Sequence, residues 1–260
     1  MKGIQLTAII SDIHSNYEAL TATLEDIEKS GANEILCLGD IVGYGPDPEE
    51  CIDLVEKNCR FSLSGNHDYA TLTFPEHFNP LAAEAIQYTK TVLEPGKFRT
   101  PWGSRKKARW QFLQDLPVRK RETETLYVHG SPRDERNEYI LESDILYGNY
   151  DKIDEIFSMI PQWCFIGHSH VPGIITQDYR FLKPQDYKYE IPLEEGQKYI
   201  INVGSVGQPR DGDNRASYVV IKENSIVFHR IAYDFHATMS KMEQIGEISK
   251  EAAVRLQLGR

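Results

Sequence analysis

The sequence predicts a mixed α/β domain built around a largely parallel sheet. Three observations carry this. The first half alternates apolar, strand-like runs with amphipathic helical ones. The early runs LTAIISD and EILCLGD are almost continuously apolar, as strands buried on both faces must be. The second half changes to short strand-like runs separated by turns.

Taken in order, residues 6–12 read as the first strand. Residues 15–30 read as a helix with Leu20, Leu24 and Ile27 on one face and Gly31 as its stop. A second strand covers 34–40. Asp47, followed by Pro48 at the first helical position, opens a helix to about Asn58. A third strand covers 60–66, so the order is β-α-β-α-β with right-handed crossovers. Residues 70–122 break this rhythm with helical segments at 80–94 and 104–115, read as an inserted helical cap. The second segment carries Arg105, Lys106, Lys107 and Arg109 beside Trp110 and Leu113, the pattern of a solvated basic face. Then come a strand at 124–130, a helix at 149–160 and a strand at 163–170. Further strands are expected at 172–178, 179–185, 198–204, 216–221 and 225–232, the last two joined through Glu223–Asn224. The tail from Asp234 reads as one or two helices. With neither an internal repeat nor a linker, residues 1–260 are expected to form a single domain.

Composition narrows the function. Forty per cent of the residues are hydrophobic, enough for a sizeable core. The net charge of −10 argues against extended nucleic-acid contact, which needs a basic surface, but not against a small phosphorylated substrate. No apolar run approaches the roughly 18 residues of a membrane span. The N-terminal run reads as a strand without a signal-peptide cleavage pattern, so no membrane association and a cytoplasmic location are expected. Cys37, Cys51, Cys59 and Cys164 form no Cys-x-x-Cys pair and read as free thiols of a reducing compartment.

Chemistry-bearing residues gather at strand ends. The first strand ends in Asp12-Ile13-His14, the second in Gly39-Asp40, the third in Gly65-Asn66-His67-Asp68. Later strands end in His129-Gly130 and Gly167-His168-Ser169-His170. Any one of these fragments alone is an ordinary turn. Together they place five of the eight histidines (14, 67, 129, 168 and 170) at the sheet edge where open α/β sheets bind ligands. Mixed imidazole and carboxylate suits first-row divalent metals rather than calcium. His77, His229 and His236 lie outside the set and read as structural or surface residues.

The ordered set Asp-x-His, Gly-Asp, Gly-Asn-His-Asp, His, Gly-His-x-His resembles the five motifs of the calcineurin-like metallophosphoesterases, over residues 12–170. The runs GDIVGYGPDP and INVGSVGQPRDGD resemble a prokaryotic branch often labelled phosphodiesterase or diadenosine-tetraphosphatase-like. The resemblance implies a four-layer α/β/β/α sandwich of two mixed sheets. It implies two divalent ions, Mn²⁺ or Fe with Zn²⁺ or Ni²⁺ as alternatives. Asp12, His14 and His170 would hold one, Asn66, His129 and His168 the other, with Asp40 bridging. The implied activity is hydrolysis of a phosphate mono- or diester by a hydroxide between the ions. His67 would be general acid, with Asp68 orienting it and raising its pKa, unless Asp68 serves as a turn or helix-capping residue. A nucleotide-specific hydrolase (dinucleoside polyphosphatase or cyclic-nucleotide phosphodiesterase) is the alternative, which base-stacking aromatics in the pocket would support. A non-catalytic scaffold is a further one. The family's second motif usually continues to a phosphate-gripping Arg; here Ile41-Val42-Gly43-Tyr44-Gly45 stands instead. Tyr44, Arg133 and Arg210 are the candidates for substrate contact in its place. Asn16 and Tyr17 could also touch substrate, but open a helix where Asn is an ordinary cap. The cap and the stretch 179–199 are expected to border the site.

Overall fold

The computed structural model describes residues 6–96 and 101–260, with backbone only at 101–103. In chain order the elements are β1 (Thr7–Ile10), α1 (Tyr17–Ser30), β2 (Glu34–Cys37), α2 (Pro48–Asn58), β3 (Phe61–Ser62), α3 (Asn66–Leu72), α4 (Pro80–Leu93) and α5 (Pro101–Asp115). Next are β4 (Arg119–Glu122), β5 (Thr125–Val128), α6 (Glu142–Leu146), α7 (Tyr150–Met159), β6 (Trp163–Ile166), β7 (Gly173–Thr176) and β8 (Phe181–Leu182). The chain closes with β9 (Glu190–Pro192), β10 (Tyr199–Asn202), β11 (Ala216–Ile221), β12 (Ser225–Ile231), α8 (Phe235–Gln244) and α9 (Lys250–Leu258).

Two six-stranded mixed sheets result, ordered β3-β2-β1-β11-β12-β9 and β4-β5-β6-β10-β7-β8. The parallel strands lie inside each sheet: β1–β2–β3 in the first, β5–β6–β10 in the second. Period-2 alternation assigns each strand face to a layer. Ala8 and Ile10 point out to α1 and α2, packing with Leu20, Ile27, Ile52 and Val55. Ile9 and Leu36 point inward, where Phe165, Ile201 and Val203 of the second sheet meet them. The second sheet's outer face buries Cys164, Ile166 and Ile200 under Ile153, Ile156 and Phe157 of α7. The stack is helix, sheet, sheet, helix, as the resemblance implies.

Local chemistry accounts for the helix ends. Asn16 caps α1 by accepting from the Ala19 amide, and Gly31 ends it at φ 78°. Pro48 begins α2, but Asp47 accepts from Lys241 Nζ (2.8 Å) instead of capping. In the segment 70–122, Leu93 of α4, Leu113 of α5 and Leu116 join the core against α1 and α2. Its helices therefore thicken the helical layer over the first sheet, and its turn at 76–79 reaches the cleft.

Some elements depart from expectation. β4 is Arg-Lys-Arg-Glu, with no apolar alternation to announce it; it survives as an exposed edge strand paired with β5. The expected strand at 179–185 shrinks to two residues and a 3₁₀ turn at Pro184–Tyr187. The stretch 179–199 pairs along the outer edges of both sheets, through β8 and β9, and does not line the cleft. Arg109 is a correction to the solvated basic face: it is 9% exposed, donating to Asp53 through Nε (2.8 Å) and a terminal nitrogen (2.7 Å), and to Glu49. Arg105 and Lys107 of the same helix stay exposed.

Candidate metal centre

The carboxyl ends of β1, β2, β5 and β6, with the start of α3, meet at one point between the sheets. Asp12, His14, Asp40, His129, His168 and His170 are all buried there. Ligand atoms of Asp12, His14 and His170 lie within 4.8 Å of one another, as do those of Asp40, His129 and His168, and those of His14, Asp40 and His67. Asp40 belongs to two of these groups, the position expected of a bridging carboxylate.

The local backbone is held in unfavourable shapes. Asp12, His14, Asp40, His168 and His170 all have φ between 49° and 64°. The left-handed region costs roughly 1–2 kcal/mol for a residue with a Cβ. Clustered at one site, it marks loops shaped for ligand geometry. Neighbouring loops hold them there. The Asp12 amide donates to Gly39 O (3.0 Å) and the His14 amide to Asp40 O (2.9 Å). The Gly207 amide and Ser205 Oγ donate to Asp12 O at 2.9 and 2.8 Å. A Cβ on Gly65 would stand 2.0 Å from Asp40 Oδ1, and one on Gly167 2.5 Å from Asp12 Oδ2, so glycine makes room for both carboxylates.

Each carboxylate is also anchored by the amide of a histidine from another loop. Asp40 Oδ1 accepts from the His67 amide (2.9 Å), which turns Oδ2 toward His129 Nε2 (3.2 Å) and His14 Nε2 (3.6 Å). Asp12 Oδ2 accepts from the His168 amide (3.0 Å), with Oδ1 3.2 Å from His170 Nε2. Backbone carbonyls set the imidazole tautomers. His129 Nδ1 faces Leu38 O at 3.1 Å, His170 Nδ1 faces Gln208 O, and His168 Nε2 faces Asn137 O at 3.1 Å. Each of these nitrogens must carry the proton, which leaves the other ring nitrogen as a lone pair for the centre.

These residues fit divalent cations. His14 Nε2 and His170 Nε2 lie 3.1 Å apart, and His129 Nε2 lies 3.2 Å from Asn66 Oδ1; two lone pairs at that distance need a cation or proton between them. Electrostatics agree. Burial opposes ionisation of Asp12 and Asp40, yet His170 and His129 hold the first below its ordinary value, and His129 and His67 the second well below. Burial opposes charging His129, but Asp40 and Asp12 push it up to about 9. Burial, helped by His67, keeps His14 neutral; burial and His129 bring His168 down to about 3. Two carboxylates thus face one imidazolium, with the Arg210 guanidinium near enough to oppose charging of His67 and His170. None of the four cysteines belongs to these groups; all are free thiols.

The remaining predicted residues divide. His67 joins the centre, its ring 4.7 Å from His14, 4.7 Å from Tyr44 and 5.0 Å from Phe78. Asp68, expected to orient His67 and raise its pKa, does neither. Its carboxylate accepts from the Val42 amide (3.1 Å) and the Gly65 amide (3.0 Å), tying the second motif to the third and capping α3. Burial, with Asp40 opposing and Arg210 assisting, lowers His67 to about 4, while burial beside Asp40 pushes Asp68 up to about 7. Tyr44 is buried against His14. Arg210 stands over the Tyr44 ring (5.6 Å) and donates to Gln208 Oε1 (2.8 Å). Arg133 is spent on ion pairs to Glu138 and Glu155 and does not line the cleft. Asn16 is buried, bonded to Gly207 O and Thr238. Tyr17 packs under Lys241. His77 is exposed, on the cleft wall; His229 bonds Asp26 (3.2 Å) and His236 packs on Phe235.

Several contributors had no signal in the sequence. Tyr139 lies flat on the His168 ring, centroids 3.8 Å apart. Asn137 offers His168 its carbonyl, and Gln208 does the same for His170. Gln208 and Ser205 lie within the run INVGSVGQPRDGD, already conspicuous in the sequence.

Comparison with known proteins gives the family. The profile of the calcineurin-like phosphoesterases matches residues 6–172. An uncharacterized protein of Methanocaldococcus jannaschii is 37% identical over 265 residues, covering 98% of each chain. The crystal structure of a metallophosphoesterase from Sphaerobacter thermophilus superposes with a TM-score of 0.79 at 34% identity, over 99% of this chain and all of that one. A hypothetical protein from Pyrococcus horikoshii shares the fold at TM-score 0.73 and 18% identity, over 99% of both chains. The chain belongs to the calcineurin-like phosphoesterase family and is a metal-dependent phosphoesterase. Among the described residues, no helix is long and apolar enough to cross a membrane.

Proposed function

We propose that the protein hydrolyses a small phosphate mono- or diester at a centre of two divalent ions, Mn²⁺ or Fe, with Zn²⁺ or Ni²⁺ as alternatives. The observation that carries this reading is the convergence of the His14 and His170 Nε2 atoms, 3.1 Å apart, beside the shared Asp40 carboxylate. Asp12, His14 and His170 would hold one ion, Asn66, His129 and His168 the other, and Asp40 both. When bound, two such ions neutralise the phosphate oxygens and acidify coordinated water. The four free thiols support a reducing, cytoplasmic setting.

The protein's own groups position the ester. Among the described residues, no carboxylate lies within ion-pair distance of Arg210. Its guanidinium, steadied by Gln208 and Tyr44, supplies the phosphate contact that the second motif lacks. His67 faces the cleft and is the proton donor to the leaving oxygen. It is neutral in the metal-free chain, so the negative phosphate must raise its pKa on binding.

The test compares chelated protein with protein resupplied with Mn²⁺, on bis-p-nitrophenyl phosphate and p-nitrophenyl phosphate. Metal-restored hydrolysis is expected. A protein that takes up two ions yet cleaves neither ester, with any of the four metals, would overturn the proposal.

A further inference from the structure

The two sheets end in four edge strands, β3, β9, β4 and β8. Three of these are blunted: β3 and β8 are two residues long, and β9 is three residues ending in Pro192. β4 is four residues long and almost wholly exposed. Alternate N–H and C=O groups of β4 point away from β5, and among the described residues no strand meets them.

The side chains of β4 are basic, in a chain of net charge −10. Its one carboxylate, Glu122, is already matched by Arg60, whose two terminal nitrogens each donate to it at 2.7 Å. Lys120 and Arg121 are exposed and, among the described residues, have no ion-pair partner. Arg119 reaches Glu135 at 3.4 Å in a pair open to water, which holds it weakly. Arg119 and Arg121 stand opposite Val128 and Leu126 and share their outer, helix-covered face. On that face a groove of about 390 Å³ opens between β4 and the end of α7, floored by Leu126, Met159 and Pro161. Met159 is 45% exposed, an adaptable apolar side chain left open to solvent. Among the described residues, no carboxylate lines the groove.

Basic residues on an edge ordinarily keep other strands away. Here they select. Antiparallel pairing of two copies about the middle of β4 would set Lys120 of each against Arg121 of the other, like charges directly opposite. A nucleic-acid backbone would meet the charges but leave the apolar floor and the strand's carbonyls unmatched. An acidic, extended peptide matches all three features. We propose that β4 is a docking edge for an extended acidic segment of a partner protein, added to the second sheet as a further strand. Its backbone pairs with β4, carboxylates on its outer face meet Arg119 and Arg121, and a neighbouring apolar side chain enters the groove. This surface shares no lining residue with the cleft at the metal centre, so the proposal stands apart from the phosphoesterase reading.

The probe is the fluorescein-labelled peptide Val-Thr-Glu-Thr-Glu-Thr-Val, blocked at both ends and titrated with the full chain by fluorescence anisotropy. It is expected to bind at least about tenfold more tightly than the same peptide with Lys in place of Glu. Methylating the backbone nitrogens along one edge of the peptide should cost a similar factor, and along the other edge much less, because only one edge faces β4. Arg119→Glu combined with Arg121→Glu should invert the preference, so that the Lys peptide binds more tightly, a result that an unfolded variant does not give. Equal affinity for the two peptides, equal loss on methylating either edge, or tighter binding of a short oligothymidylate than of the acidic peptide would overturn the proposal. So would a dimer, seen by light scattering, that the paired charge reversal abolishes, because the edge would then belong to a second copy of this chain.

Discussion

Replacing Asp40 by Asn removes a charge and almost no volume. Asn Oδ1 can still accept from the His67 amide, the 2.9 Å bond that orients the side chain. The amide nitrogen then occupies the position 3.2 Å from His129 Nε2, where it can donate to the imidazole. The buried ion pair with His129 loses one partner, which is costly unless the imidazole sheds its charge; His129 can do so, because Asp40 is the main charge that raises its pKa. Near neutral pH the metal-free variant should therefore lose about 1–3 kcal/mol, the part of the His129 contribution that Asp40 supplies, or several degrees for a chain of this size. The metal-loaded states should differ far more. An ion held at one hundred times its Kd stabilises the folded state by about 2.7 kcal/mol, so two ions contribute about 5 kcal/mol. At about 2–4 °C per kcal/mol, metal should raise the melting temperature of the unaltered protein by about 10–20 °C. Asp40→Asn should lose that rise, because it takes a ligand from both ions. Calorimetric melts with and without Mn²⁺, beside elemental analysis of dialysed protein, measure both quantities. If Asp40→Asn keeps two ions and the full thermal shift, Asp40 does not bridge. If the metal-free variant alone loses about 5 kcal/mol or more, beyond what the His129 pair supplies, the carboxylate is a structural element first.

Four other outcomes follow from the same geometry. Gly65→Ala brings a Cβ to 2.0 Å from Asp40 Oδ1 without touching any ligand's chemistry, so it should cost about 1–3 kcal/mol and lower metal content; full metal content by elemental analysis would refute the steric reading. The His129 imidazole is pushed up to about 9 in the metal-free fold against an ordinary 6.5, so the folded state binds its proton more tightly. This contribution, about 3 kcal/mol, is fully present below pH 6.5 and lost as pH rises through 9; denaturant titrations of chelated protein check it, and metal uptake at pH 7.5 should release about one proton in calorimetry across buffers of different ionisation enthalpy. His67→Ala should keep both ions and lose rate on esters with poor leaving groups, with a smaller loss on p-nitrophenyl esters; equal losses on both would exclude proton donation. Arg210→Ala should raise KM for the ester, while Arg133→Ala, whose charge is spent on Glu138 and Glu155, should leave kinetics unaltered; steady-state assays on the two variants separate the assignments.

The sequence by itself determined the family and named the acidic and imidazole side chains that the fold gathers at one point. Its apolar runs place the β-α-β-α-β half, and each run stops where an Asp, Asn or His of the centre begins, because a buried strand end is where a polar side chain can leave the core. The tertiary structure alone decided what surrounds those ligands. β4 carries no apolar pattern, since an edge strand is held by ladder hydrogen bonds and not by burial of alternate side chains. Arg109 reads as a surface charge until packing of α5 on α2 brings Asp53 and Glu49 to it. Asp68 follows His67 in the chain, yet the turn that opens α3 sends its carboxylate to the amides of Val42 and Gly65. Arg133 and Arg210 are equally plausible in the sequence, and the fold gives Arg133 the carboxylates of Glu138 and Glu155 while Arg210 meets Gln208 and Tyr44 and, among the described residues, no carboxylate. Tyr139, Phe78 and Gln208 act through contacts separated by many residues from what they touch, and such contacts leave no period, cap or spacing in the sequence. Side-chain type and strand ends are local properties; orientation and partner are set by the folded chain.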